Sequence, residues 1–141
     1  MLQRMQSLWL LLAAFCALLT IRFSVYSGIV ETEGQPPSFQ YLNATFNIGI
    51  LILTIVLICV AAIDIFLYKN RKLQGRLALL GVILSLLNLY LYYKQTLHFA
   101  TDRGNYALGA LLALVIPVCF FLAVRGIYRD QKLVKSLDRL R

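Results

Sequence analysis

Four stretches of this chain are apolar for about the length that a helix needs to cross a lipid bilayer. The hydrocarbon core is about 30 Å thick, and a helix rising about 1.5 Å per residue crosses it with about 20 residues. Backbone groups inside lipid must hydrogen-bond to one another, which favours helices. The predicted fold is therefore all-α, an integral membrane four-helix bundle in a single domain, residues 1–141. Its spans are residues 5–26, 47–68, 77–93 and 106–124.

The composition agrees with a membrane protein. Hydrophobic residues make up 60% of the chain, compared with roughly 45–50% in soluble domains. Charged residues make up 14%, compared with about a quarter in soluble domains. Three scattered Cys residues do not predict a disulfide scaffold, and one His does not supply a conventional zinc site. We therefore predict neither a metal nor a cofactor.

The basic residues are distributed unequally between the two ends of the spans. Eleven of the fourteen Lys and Arg residues lie before the first span, in residues 69–76 and in residues 125–141. Only two lie between the third and fourth spans. Because cytoplasmic loops of membrane proteins are enriched in Lys and Arg, both termini are predicted to be cytoplasmic. An alternative interpretation makes the first span a cleaved signal peptide, ending near Gly28, which would leave three helices.

Asp64 is the only acidic residue inside a predicted span. It lies five residues before Lys69, so about 7.5 Å from that end of the helix. One hypothesis makes it a proton or cation site. The favoured one is an interfacial ion pair with Arg125 or Arg71, because transport acids usually lie nearer the membrane midplane.

Two further polar residues lie within predicted spans. Arg22 is near the outer end of the first span, where its long side chain can reach the interface and meet Glu31 or Glu33. Asn88 lies in the outer half of the third span, and we expect it to hydrogen-bond a neighbouring helix. Both are therefore interpreted as structural.

No motif for nucleophilic catalysis, metal-dependent hydrolysis or phosphate binding occurs in the chain. The predicted protein is therefore not an enzyme. A membrane enzyme acting on lipid would require His98, Asp102 and an acidic residue of the first outer loop to meet at one face.

The last segment is the one amphipathic stretch. Leu133, Val134, Leu137 and Leu140 form an apolar helical stripe among basic residues. Such a helix suits anionic lipid, the groove of a partner protein or, less well for lack of stacking aromatics, ribosomal or other RNA. The residues predicted to contact a partner or lipid are Arg4, Arg71, Lys72, Arg129, Lys132, Leu133, Val134, Lys135, Leu137, Arg139 and Arg141.

The two ends of the chain resemble a known family. Residues 1–13 (MLQRMQSLWLLLA) match its opening pattern, and residues 125–127 (RGI) and 130–141 (DQKLVKSLDRLR) match its close. The family comprises small four-helix inner-membrane proteins of Bacteroidota described as a domain of unknown function (DUF 4293). The resemblance implies a Gram-negative inner membrane and no established activity. It gives most weight to Gln3, Arg4, Gln6 and residues 130–141, which we expect to dock together or form one recognition surface.

These features together predict a non-enzymatic accessory or scaffold subunit of an inner-membrane protein assembly, for example a translocation or secretion machine. The basic tail would contact a partner or anionic lipid. The alternative is a small transporter or channel that uses Asp64 and Asn88, with a helix break at Pro117. The direction of these two polar side chains separates the two hypotheses, since a transporter needs both in a shared water-filled cavity.

Overall fold

A computed structural model describes residues 2–30, 38–67, 70–99 and 104–138, with side chains described from Met5 to Val134. Four helices occupy most of it. Each is long and apolar enough to cross a membrane, by length and composition. They are α1 (Leu2–Arg22), α2 (Ile48–Phe66), α3 (Arg71–Thr96) and α4 (Leu108–Asp138).

The helices differ in their ends from the predicted spans. The first ends at Arg22 rather than near residue 26, because Tyr26 pairs in a strand. The third has 26 residues and begins six residues before the predicted span, since its polar first turns are helical too. The fourth runs without interruption through Pro117 and into the tail. Asn47 caps the second helix by accepting a hydrogen bond from the Gly49 N–H at 2.8 Å.

The four helices form an antiparallel bundle in which α1 packs against both α4 and α2. Gln6, near the start of α1, lies beside Gly126 in the last part of α4, while Ser24 lies beside Gly109 at its beginning. The first and last helices therefore run in opposite directions, and the start of α1 and the end of α4 lie at the same end of the bundle. We call this the termini end, and the opposite one the sheet end.

Small residues allow the helices to approach closely. A side chain at Gly81 would collide with the Phe120 ring, and one at Gly109 would collide with the Ser24 carbonyl. Small residues at helix contacts are typical of membrane bundles, where close van der Waals packing replaces the hydrophobic effect. The main apolar core lies between these contacts. Its buried members are Leu10, Ala13, Cys16, Ala17, Leu57, Ala61, Ile116, Cys119, Phe120 and Ala123.

A three-stranded antiparallel sheet covers one end of the bundle, so the all-α prediction is incomplete. Its strands are β1 (Tyr26–Val30), β2 (Ser38–Leu42) and β3 (Asn105–Tyr106), in the order β2-β1-β3. In β1, Tyr26 pairs with both Leu42 and Tyr106. The segment after helix α1 is thus extended and stabilised by strand pairing on both sides.

Aromatic packing joins this sheet to the helices. Tyr26 is buried, and its ring meets those of Phe99 and Tyr106 edge to face, with centroids 5.3 and 5.1 Å apart. The Gly109 N–H, in the first turn of α4, donates to the Ser24 carbonyl at 3.0 Å. This bond satisfies one of the N–H groups that a helix start leaves without an internal partner. The start of α4 is therefore fixed to the end of α1.

Candidate functional site

Polar side chains are buried at two levels of the bundle, near its two ends. An apolar interior that contains polar groups is the default place to look for function in a membrane protein. The buried polar side chains are Gln6, Thr20, Thr54, Asp64, Gln74, Ser85 and Asn88. Three of them, Gln6, Asp64 and Gln74, lie near the termini end.

The group nearer the sheet end, which we call the sheet-end cluster, consists of Thr20, Thr54, Asn88 and Tyr92. Both Thr hydroxyls donate to a carbonyl of their own helix at 2.8 Å. The Asn88 amide donates to the Thr54 hydroxyl at 3.3 Å, linking α3 to α2. The buried Tyr92 hydroxyl faces Thr20 and Thr54 but completes no hydrogen bond of standard geometry. Asn88 thus has the interhelical bond that its position predicts.

The group at the termini end, which we call the termini-end cluster, consists of Gln6, Asp64 and Gln74. Asp64 has a relative exposure of 0%, and neither carboxyl oxygen has a hydrogen-bond partner in the described structure. Gln74 donates to the Asp64 backbone carbonyl at 3.1 Å and so links α3 to α2. An ionised carboxylate buried without a partner would cost many kcal/mol. The Asp64 side chain is therefore the most unusual polar group in the bundle.

The third member of this cluster contacts the other end of the chain. Gln6 is buried in α1, and its Nε2 donor has no acceptor in the described part of the structure. Its Cγ lies 3.0 Å from the point where a Cβ on Gly126 would stand. The glycine therefore makes room for Gln6, and the N-terminal segment packs directly on the last part of α4.

The favoured ion pair of Asp64 is not formed. Arg71 instead pairs with Asp130 of α4, with 3.0 Å between Nη1 and Oδ2. Gln131 donates to the Arg71 backbone carbonyl at 2.6 Å, and Arg125, the other expected partner, is exposed. The prediction is wrong because the Asp64 side chain is buried inside the bundle. Arg71 and Arg125 lie at the surface of the bundle and do not reach it.

Asp64 and Asn88 do not share a cavity. Asn88 bonds to Thr54, which is ten residues from Asp64 on α2 and therefore about 15 Å away along the helix. The apolar core, with Leu57 and Ala61 of α2, lies between the two levels. Among the described residues, the two polar side chains therefore belong to separate levels of the bundle.

The tail of α4 extends beyond the rest of the bundle. The helix has 31 residues and is about 46 Å long, compared with about 30 Å of bilayer hydrocarbon. Since its start is fixed to the end of α1, the surplus length falls at the termini end. Past Asp130, which pairs with the first residue of α3, Leu133 and Val134 have relative exposures of 45% and 40%. Lys72, Arg129 and Lys132 are also exposed.

Other predicted residues lie apart from this surface or outside the described residues. Arg22 is exposed at the last position of α1, and its expected partners, Glu31 and Glu33, fall outside the described ranges. Asp102 does too, so its expected convergence with His98 lies outside the described residues. The side chains of Arg4, Lys135, Leu137, Arg139 and Arg141 are not among those described. Within the described ranges, no three His, Cys, Asp or Glu side chains come together as metal ligands.

A long apolar groove separates α3 from α4 in the half of the bundle nearer the sheet. Its volume is about 760 Å³. Alanines and leucines of α4 form one wall, and larger side chains of α3 form the other. Its lining includes Leu86, Leu89, Tyr90, Tyr93, Thr96, Tyr106, Ala107, Ala110, Ala113 and Leu114.

Sequence reasoning missed two kinds of site residue. Gln74 lies between the predicted spans 47–68 and 77–93 and was therefore not considered. It faces the bundle because α3 already starts at Arg71. Thr54 was not distinguished from the apolar residues around it in the second span. A Thr whose hydroxyl bonds to its own helix behaves as a small apolar residue. No local sequence pattern predicts the groove, because the groove depends on how α3 and α4 diverge.

Comparison with known proteins gives a match to one family. A family model described as "Domain of unknown function (DUF4293)" matches residues 2–140. No curated protein and no solved structure matches the chain. The match covers all four helices and the strands between them, as well as most of the basic tail.

Proposed function

Because the chain belongs to the DUF4293 family, whose description assigns no activity, we propose from the structure that it is a non-enzymatic accessory or scaffold subunit of a bacterial inner-membrane assembly. Its basic tail would lie in the cytoplasm and contact a partner subunit or anionic lipid. A translocation or secretion machine is the kind of assembly that such a subunit would fit. The observation that carries the proposal is the projecting end of α4.

The projecting segment has the properties of a contact surface. It combines exposed apolar side chains, Leu133 and Val134, with the exposed charges of Arg129 and Lys132. Basic residues near an anionic membrane surface each contribute about 1 kcal/mol of attraction, and an apolar stripe on a helix suits a groove in a partner protein. The segment is held in place at its base by the Arg71–Asp130 pair, so it extends from a fixed point.

A transporter is the alternative, and the buried polar groups support it less well. The Asn88 amide is used in a hydrogen bond between two helices, and the apolar core separates it from Asp64. Pro117 lies within a continuous α4 rather than between two half-helices. Asp64 alone, with no partner in the described structure, keeps a proton or cation role open to experiment.

The proposal is tested by purifying the tagged chain from its native membrane in mild detergent and identifying stoichiometric companions by mass spectrometry. We expect a companion protein that is lost when Leu133→Asp and Val134→Asp are combined. A matched control is Phe39→Asp, which puts the same charge on an exposed apolar residue, 58% accessible, at the sheet end. Recovery of the chain alone, or a companion retained by the tail variant, would contradict the partner role.

The orientation is tested separately. A Lys132→Cys variant in intact cells should resist an impermeant maleimide and react only after the inner membrane is opened. A Tyr41→Cys variant at the sheet end, where this side chain is 62% exposed, should show the reverse. Labelling of Lys132→Cys in intact cells would place the tail outside the cytoplasm and remove the basis for a cytoplasmic partner.

A further inference from the structure

The groove between α3 and α4 exists because these helices touch in one half of the bundle and separate in the other. Toward the termini end, Gly75 faces Ile127 and Gly81 faces Phe120, so the two helices lie close together. Toward the sheet end, three short side chains line the groove on this side, Ala107 just before α4 and Ala110 and Ala113 within it, and Leu111 and Leu114 of α4 complete this wall. An apolar groove that opens sideways from a membrane helix pair borders the acyl chains of the bilayer.

The length of the groove corresponds to one leaflet. Along α3 its lining runs from Leu86 to Thr96, ten residues or about 15 Å. This is half of the roughly 30 Å hydrocarbon core. The groove thus begins at the sheet end and stops near the middle of the membrane, which is the path of an acyl chain belonging to the leaflet at that end.

The hydroxyl groups that line the groove belong to its half nearer the sheet, between Tyr90 and Thr96 on α3 and at Tyr106. Tyr93, Thr96 and Tyr106 bring hydroxyl groups to the sheet end, where aromatic residues with a polar tip favour the membrane interface. Farther in, the lining is apolar, with Leu86, Leu89 and Leu114. An amphiphile with a polar head and a single apolar chain in the groove matches this order of groups.

A second transmembrane helix matches the groove less well. A helix about 10 Å across fills 760 Å³ with only about 10 Å of its length, which is less than two turns. An acyl chain is narrower and follows a slot of 15 Å. We propose that this groove binds one acyl chain of a membrane phospholipid from the leaflet at the sheet end. This site is independent of the proposed role of the tail, which lies at the opposite end.

The test uses the full-length protein in vesicles of phosphatidylethanolamine and phosphatidylglycerol that contain a phospholipid with a diazirine in its acyl chain. After illumination, we expect the label to concentrate on peptides from α3 and α4 that line the groove. An Ala110→Phe variant, which fills the groove, should lose this label. Leu111→Trp, at an exposed lining position, tests the same loss with less risk to folding.

Ala62→Phe is the matched control, because it adds the same ring to an exposed position of α2 away from the groove. It should keep the wild-type labelling. Equal labelling of all lipid-facing helices, or labelling that Leu111→Trp leaves unchanged, would overturn the proposal. A photo-crosslinking amino acid at Leu114 in native membranes should give an adduct of phospholipid mass. An adduct of protein mass, from a partner helix or a second copy, would equally overturn it.

Discussion

The two buried polar clusters of this bundle differ in how their groups are satisfied. In the sheet-end cluster, Thr20, Thr54 and Asn88 are neutral and use their hydrogen bonds within or between helices. In the termini-end cluster, Gln74 bonds only to a backbone carbonyl, while Asp64 and the Gln6 amide nitrogen have no partner among the described residues. The sheet-end cluster also has polar atoms without a partner among the described residues, the Asn88 amide oxygen and the Tyr92 hydroxyl. The difference is that its groups are neutral and link two helices, whereas the termini-end cluster contains a carboxyl group with no partner at either oxygen.

The difference between the clusters lies in how much their burial costs. Neutral groups that bond to their own helix can be buried in lipid at little cost. A carboxyl group without partners lowers stability, and such groups persist in membrane proteins mainly where they serve a function. The termini end is also where α4 leaves the bundle. We therefore expect substitutions in the two clusters to change stability in opposite directions.

The largest effect is expected from removing the ring of Tyr92, one of the largest fully buried side chains. Tyr92→Ala should lower the free energy of unfolding by about 3–5 kcal/mol, since it leaves a ring-sized cavity. Tyr92→Phe is the control and should cost much less, because the hydroxyl completes no standard hydrogen bond. Unfolding in mild detergent would measure both. A large loss with Phe would show that the hydroxyl holds the cluster together.

At the termini end, Asp64→Leu should raise the free energy of unfolding by about 1–3 kcal/mol, because it replaces an unsatisfied buried polar group with an apolar one of similar branching. Asp64→Asn, which keeps the polar shape, should change stability less. The same unfolding measurement applies. A loss of several kcal/mol with Leu would show instead that the carboxylate is paired with a cation outside the described residues.

A smaller effect is expected at the Asn88–Thr54 hydrogen bond. Asn88→Leu should cost about 0.6–2 kcal/mol, the usual range for polar contacts between membrane helices. A double-mutant cycle with Thr54→Val isolates the pairwise contribution. Additive losses in the double variant would mean that the 3.3 Å contact contributes nothing specific, and the sheet-end cluster would then depend on packing alone.

The smallest effect is expected at the margin of the termini end. Arg71 is more than a third exposed, so Asp130→Asn should cost no more than about 1 kcal/mol. The difference from wild type should shrink further in high salt, because screening weakens exposed ion pairs. A larger loss that persists in salt would indicate that the pair is needed to fix the angle at which α4 leaves the bundle.

The spans were predictable because lipid leaves few ways to satisfy the backbone. The sheet was not. Its central strand, Tyr26–Val30, is short and contains a glycine, and its pairing with Asn105–Tyr106 depends on bringing the first and last helices together. Helix ends differ from the predicted spans for the same reason, since Tyr26 and Tyr106, which the spans 5–26 and 106–124 include, are paired strand residues.

The buried polar groups were only partly predictable. Asn88 could be expected to bond across helices because an amide in hydrocarbon has few alternatives. The surroundings of Asp64 could not be predicted, because α2 is apolar on nearly every side. Its sequence therefore does not indicate which face turns toward the other helices. The pairing of Arg71 with Asp130 depends on the length of α4 beyond the membrane, which a hydropathy pattern does not fix.

The pairing of β1 with β3 has a consequence for the order in which the protein is assembled. Tyr26 precedes the second helix, while its partner Tyr106 follows the third. This pair therefore cannot form until the intervening helices have been synthesised and threaded through the bilayer. Before that moment one edge of β1 has unpaired N–H and C=O groups, which other strands can recruit. Closure of the sheet therefore follows the arrival of the third helix, and it protects the free edge of β1 from then on.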